Sequence, residues 1–219
     1  MLKIHGVTRS RASRIIWLCH EIGIGFEQIP VIQAYRLSDP DAADAPLNTR
    51  SPQFMALSPA SAIPVIEDGP LVLRESMACN LYLARKYGQP YGPADAPEDA
   101  LMMQWSFYAA TSIEPDALTL LYVYGPGKAL SSGEKASVEN AAERLKRPLA
   151  VVDEHLSGQN YMVGGRFTVA DINMAEVLRY AQCYDPLMEQ FPAMNAWLTE
   201  CQIRPAFQKM WKTRLAEPE

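Results

Sequence analysis

The chain has 219 residues, 48% of them apolar and 21% charged, which is ordinary for a globular protein of one large or two small domains and argues against disorder. Its formal charge of −5 argues against broad binding to a nucleic-acid backbone. No apolar run approaches the ~18 residues that a membrane-spanning helix needs.

The opening Met-Leu-Lys-Ile-His has no apolar leader region, and Leu2–Ile4 reads directly as a short strand. Ser10 to Ile22 reads as a helix with Ala12, Ile15, Ile16, Cys19 and Ile22 along one side, stopped by Gly23. Phe26 to Val31 is a second strand, which Pro30 marks as an edge. Ser51 as cap and Pro52 in the first turn open a short helix. Ile63–Ile66 and Leu71–Arg74, on either side of Glu67-Asp68-Gly69-Pro70, form a β-hairpin. Ser76 caps a helix that runs to Tyr87 and ends at Gly88.

The Pro/Gly-rich stretch 88–97 suits neither helix nor sheet and is the expected linker. Charge changes there too. Residues 1–87 carry nine Lys/Arg against eight Asp/Glu, and residues 88–219 carry eleven against seventeen. The expected domains are therefore 1–87, mixed α/β, and 98–219, all helical. Helices are expected over 97–123, 132–156, 168–184, 192–202 and 205–214. Ser131 to Glu134 has capping-box spacing, and Thr168 to Asp171 repeats it with Phe167 and Ile172 as a hydrophobic staple. The cap makes full use of the Asp171 carboxylate, so Asp171 reads as structural.

Cys19, Cys79, Cys183 and Cys201 include no Cys-x-x-Cys pair, which fits reduced thiols in a cytoplasm better than a disulfide framework. His5, His20 and His155 lie far apart, and no cluster has metal-ligand spacing, so no metal is expected.

Two segments carry candidate chemistry. In Thr8-Arg9-Ser10-Arg11-Ala12-Ser13-Arg14, three arginines crowd a helix start whose own dipole is already positive. A bound anion would relieve that conflict, and Thr8, Ser10 and Ser13 offer hydroxyls to it. The alternative is a solvated basic turn with Ser10 as an ordinary cap. The second segment pairs Ile63-Pro64, where a cis peptide is one of the reasons that would place proline at a strand start, with Glu75-Ser76 at a strand-to-helix junction. Glu75 would meet an ammonium and Ser76 a carboxylate, which suits an α-amino-acid head group. The alternative is a plain cap beside a solvent-facing Glu.

In order along the chain, Ser10–Leu18, Ser51–Pro59, Ile63–Gly69, Leu73–Ser76 and Phe167–Ile172 resemble the cytosolic glutathione S-transferases, of the serine-using kind common in bacteria. The resemblance implies a thioredoxin-like N-terminal domain, an all-α C-terminal domain and a homodimer. It implies a cis Pro64, with the Ile63 backbone pairing with the cysteinyl unit of glutathione and Glu75 and Ser76 holding the γ-glutamyl group. Ser10 then faces the glutathione sulfur. One departure stands out: Ser58–Ala62 replaces the family's usual Asn-Pro-x-Gly-Lys/Gln, so Ala62 has no polar group for the glycyl end. Arg36 and Arg50, flanking an acidic loop with Asp39, Asp41 and Asp44, are available instead. For the second substrate, Trp105, Tyr108 and Ser112 share one helix face at i, i+3 and i+7, with Tyr122 and Tyr124 before the Gly125-Pro126-Gly127 stop. Aromatic lining suits a flat, hydrophobic electrophile. The expected function is conjugation of the glutathione thiolate to such electrophiles, as in detoxification, with glutathione as co-substrate. The alternatives are peroxide or disulfide chemistry on the same site, or a non-catalytic binding or regulatory module.

Overall fold

The computed structural model describes residues 1–124 and 129–217. Parallel strands need a crossover between them, and α1 (Ala12–Ile22) supplies it between β1 (Leu2–His5) and β2 (Phe26–Ile29). Next come α2 (Pro52–Leu57), the hairpin of β3 (Val65–Asp68) and β4 (Leu71–Arg74), and α3 (Ser76–Tyr87). The sheet order is β2-β1-β3-β4, with β1–β3 and β3–β4 antiparallel. β2 is thus an edge strand, as Pro30 predicts, and Pro64 stands just before β3. Residues 12–19 of α1 are buried all round. Val31, Phe54 and Val65 form a second apolar cluster, against which Ile63 packs.

Two predicted hydroxyl caps are used otherwise. The Ser51 hydroxyl accepts the Asn48 backbone N–H at 3.0 Å and makes no bond to α2. Ser76 is the first residue of α3, behind Glu75 at the cap position. In both cases a nearby loop or side chain competes successfully for the oxygen.

Contacts divide the chain into two compact units. One is Met1–Gln89 together with the residues from Pro205 onward, and the other is Pro90–Arg204. The expected single division in the 88–97 stretch differs from this, because α10 (Pro205–Ala216) groups with the first unit. Its Phe207 ring meets fully buried Trp17 edge-on at 4.9 Å and stacks on Trp211 at 5.6 Å. Helical periodicity reveals an apolar face but not its partner.

The second unit contains α4 (Ala96–Tyr108), α5 (Glu114–Val123), α6 (Ser132–Gly158), α7 (Val169–Leu178), α8 (Asp185–Met188) and α9 (Pro192–Gln202). The helix expected over 97–123 is interrupted by a π-helical turn at Ala109–Ile113. The predicted Gly125-Pro126-Gly127 stop lies outside the described residues. The helix expected over 168–184 ends at Leu178, followed by a 3-10 turn at Ala181–Cys183.

Both capping boxes are present. Every residue of α7 is buried, so its cap must be satisfied internally. Asp171 accepts the Thr168 N–H (2.8 Å) and hydroxyl (3.0 Å), the Met162 N–H (2.9 Å) and the Trp197 Nε1–H (3.3 Å). Burial raises its pKa to about 6, against these hydrogen bonds, which lower it. Asp171→Ala strands several buried donors, at ~1–3 kcal/mol each before relaxation. Stability should therefore fall by more than the ~1 kcal/mol of a lost cap, with unchanged turnover per folded molecule. Urea melts and activity normalised to folded protein check this.

Candidate active site

The turn before α1 presents three hydroxyls in different environments. Thr8 is fully buried, and its Oγ1 accepts from Gln28 Nε2 at 3.1 Å. Ser13 is also fully buried. Ser10 is half-buried; its hydroxyl donates to the Val7 carbonyl at 2.6 Å and accepts the Ala12 N–H at 3.0 Å. Ser10 thus tightens the turn ahead of α1, one residue before the Arg11 cap position, and is not itself the cap.

The Ile63–Pro64 peptide is cis. Gly6 joins this loop to the α1 turn. It has φ +141°, and a Cβ there would stand 3.3 Å from the Cβ atoms of Ala12 and Ile63. The divergent Ser58–Ala62 segment is held by Ser58, whose buried hydroxyl donates to the Ala62 carbonyl at 2.9 Å.

Glu75 is exposed, with φ 64°. A non-glycine residue there stores ~1–3 kcal/mol of strain, a frequent mark of functional positions. Ser76 is buried, and its hydroxyl oxygen accepts from Arg14 Nη1 at 3.0 Å. Arg14 is only 1% exposed, so it belongs to the interior and not to a basic surface turn. Asn80 donates to the Arg14 carbonyl at 3.2 Å. With its oxygen accepting from Arg14, Ser76 keeps its own proton for another acceptor. The α1 turn, the cis-proline loop and the Glu75–Ser76 junction are thus linked through Gly6 and Arg14.

Of the two substitutes considered for Ala62, Arg50 pairs with Asp41 at 2.5 Å and Arg36 donates to Gln33 at 3.4 Å. The buried Asn48 side chain organises the acidic loop, donating to the carbonyls of Pro40 and Pro46 at 2.9 Å each. None of the four cysteines is in a disulfide. Burial pushes the Cys19 and Cys79 thiols up to about 12, so neither supplies a thiolate at neutral pH. Among the described residues no group of His, Cys, Asp or Glu has the makings of a metal site, and no helix is long and apolar enough to cross a membrane.

In the second unit, Trp105 is 8% exposed, 4.8 Å from His155 and edge-on to Tyr108 at 5.7 Å. Tyr108 is half-buried, and its hydroxyl donates to the Pro148 carbonyl at 3.4 Å. Ser112 is exposed and lies inside the π turn. The wider turn rotates Ser112 away from the ideal i, i+7 alignment with Trp105. A cavity of about 650 Å³ is lined by Tyr161, Phe167, Trp197, Glu200 and Arg204 among others, and by none of the predicted site residues.

A model of the glutathione S-transferase C-terminal domain matches residues 99–205. Over 219 aligned residues, 95% of this chain and 92% of the relative, the sequence is 32% identical to glutathione S-transferase 3 of Zea mays. The chain belongs to the glutathione S-transferase family. Two solved structures agree. Glutathione S-transferase III in its apo form is 32% identical, with TM-score 0.78 over 100% of this chain and 99% of that one. The theta class glutathione S-transferase of Xanthomonas axonopodis pv. citri, with glutathione bound, is 26% identical, with TM-score 0.74 over 95% of each chain. The fold is accordingly a thioredoxin-like N-terminal domain plus an all-α domain, and the chain is an enzyme of the glutathione S-transferase family.

Three residues of this glutathione S-transferase fold carry no signal in the sequence. Gly6 looks like any loop glycine, Arg14 like one of three surface arginines, and Asn48 like one polar residue among many. Gly6 meets Ile63 and Arg14 meets Ser76, both far off in sequence, and Asn48 bonds to backbone carbonyls that carry no residue identity, so a local pattern shows none of these contacts. Gly6→Ala combines an unfavourable φ with two tight contacts, and should cost about 1–3 kcal/mol of stability. A denaturant titration reads this directly.

Proposed function

We propose that this chain is a serine-using glutathione S-transferase that joins the thiolate of glutathione to hydrophobic electrophiles, as a cytoplasmic homodimer in detoxification and without a metal. The observation that carries the reading is the half-buried Ser10, in a turn tied to a cis-proline loop and, through Arg14, to Ser76. Thr8 and Ser13, fully buried, are poorer candidates.

In this reading the Ile63 backbone, set by cis Pro64, pairs with the cysteinyl unit. Glu75 meets the ammonium and Ser76 the carboxylate of the γ-glutamyl group. Trp105, Tyr108 and Ser112 serve the electrophile, with the Trp105–Tyr108 pair offering aromatic surface.

The energetics are adequate but not generous. A free thiol near pKa ~8.5 is only a few per cent ionised at neutral pH. A hydroxyl bond to a thiolate contributes about 1.5–3 kcal/mol, and a helix start a few tenths to one. Ser10 must first release the Val7 carbonyl, which costs about 0.5–1.5 kcal/mol. The net is roughly 2 kcal/mol, or one to two pKa units. That raises the thiolate from a few per cent to a substantial fraction. The thiol proton leaves to solvent and Ser10 stays neutral. The sulfur electron pair attacks the electrophilic carbon and expels its leaving group.

Glu75→Ala or Ser76→Ala should weaken glutathione binding by roughly 1–3 kcal/mol, the range for charge-assisted hydrogen bonds. Calorimetric titration of each folded variant tests it, and unchanged affinity in both removes them from the site. Ser10→Ala should cut kcat/KM by roughly 10–100-fold and shift the pH–rate profile alkaline, because the bound thiol's pKa rises. An aromatic halide is the substrate to use. A wild-type profile in Ser10→Ala, with Thr8→Ala inactive, reassigns the hydroxyl. Turnover of an organic hydroperoxide without conjugation of the halide would support peroxide chemistry at the same site.

A further inference from the structure

The crowding of positive charge at the start of α1 calls for an anion, and the chain supplies one itself. The Glu217 carboxylate, just past α10, accepts the backbone N–H groups of Thr8 and Arg9 on its two oxygens at 2.7 Å each. Arg214 Nη1 donates to the Thr8 carbonyl at 2.8 Å, and Arg9 Nε donates to the Arg214 carbonyl at 3.0 Å. The peptide units around Thr8 are therefore held at both donor and acceptor. The segment is anchored by the packing of Phe207 on Trp17 and of the Arg214 guanidinium over the Trp211 ring at 5.4 Å.

We propose that Glu217 is a positioning residue: with Arg214 it clamps the Thr8–Arg9 backbone, and so sets where the Ser10 hydroxyl stands relative to the glutathione sulfur. The inference rests on the assignment of Ser10 made above. Ser10 has to turn its O–H from the Val7 carbonyl to the sulfur, and both Val7 and Ser10 flank the clamped peptides. A fixed turn lets the hydroxyl exchange partners by rotation alone. A released turn spreads its position, and ordering it again at each thiolate weakens the hydrogen bond.

The clamp has an electrostatic signature opposite to that of a bystander charge. Removing a nearby carboxylate by itself favours the thiolate and lowers the thiol pKa. Removing a clamp that positions Ser10 raises it.

The test is a double-mutant cycle of Glu217→Ala with Ser10→Ala, with aromatic-halide kinetics across pH and glutathione affinity by calorimetry. Glu217→Ala should lower kcat/KM by about 3- to 10-fold, the scale of one ordinary hydrogen bond, and move the pH–rate profile alkaline. Glutathione affinity should be nearly unchanged at a pH where the bound thiol is protonated. In the Ser10→Ala background the rate loss and alkaline shift caused by Glu217→Ala should vanish, leaving only the small acidic shift of the removed charge. Glu217→Gln, which keeps one acceptor oxygen, should fall between, and serves if the alanine variant folds poorly. A wild-type rate and profile in Glu217→Ala, an acidic shift, or effects that multiply independently of Ser10 overturn the clamp. If Ser10→Ala is itself silent, the Ser10 assignment fails. If Ser10→Ala is impaired while Glu217→Ala is silent, only the clamp fails.

Discussion

At Gly6 the backbone takes φ +141° while passing within contact distance of Ile63 and Ala12, and a side chain satisfies neither condition without strain. The first unit's site geometry depends on this close approach. It sets the turn that carries Ser10 against the loop that carries the cis Ile63–Pro64 peptide. A Cβ in that space would force apart segments that the sheet and α1 otherwise hold side by side. Arg14 makes the companion link to the start of α3. A buried guanidinium is tolerated only when it is hydrogen-bonded, so its placement constrains Ser76 as much as Ser76 constrains it.

Two carboxylates in this protein do the same physical work at different ranges. Asp171 accepts backbone and side-chain donors at the start of α7, with Thr168 three residues away. Glu217 accepts two backbone donors in the turn that leads into α1, from residues 209 and 208 positions away in sequence. Asp171 answers the surplus of N–H donors that every helix start carries, and Glu217 satisfies the same kind of group in a loop. The first is legible as a capping box. The second has no sequence signature, because the side chain that completes it arrives with a helix from the far end of the described chain.

The π turn at Ala109–Ile113 has the corresponding effect in the second unit. A continuous helix would align Trp105, Tyr108 and Ser112. In the structure Trp105 lies against His155 and Ser112 is exposed. The turn's residues, Ala-Ala-Thr-Ser-Ile, are compatible with a helix.

By itself the sequence determined the order of strands and helices, the edge position of β2, both capping boxes and the ordered motifs of the family. Each of these rests on residues within a turn or two of one another, where propensity, periodicity and local hydrogen bonds act directly. Candidate site residues were legible as segments for the same reason: a hydroxyl at a helix start, a proline before a strand, a Glu-Ser pair at a junction. Tertiary structure alone decided what those segments touch. It buried Thr8 and Ser13 and left Ser10 half-buried, turned Arg14 inward to Ser76, and moved α10 to the first unit with Glu217 at the α1 turn. These outcomes follow from which surfaces dock, and a side chain's long-range partner is set by docking geometry, which no local pattern encodes.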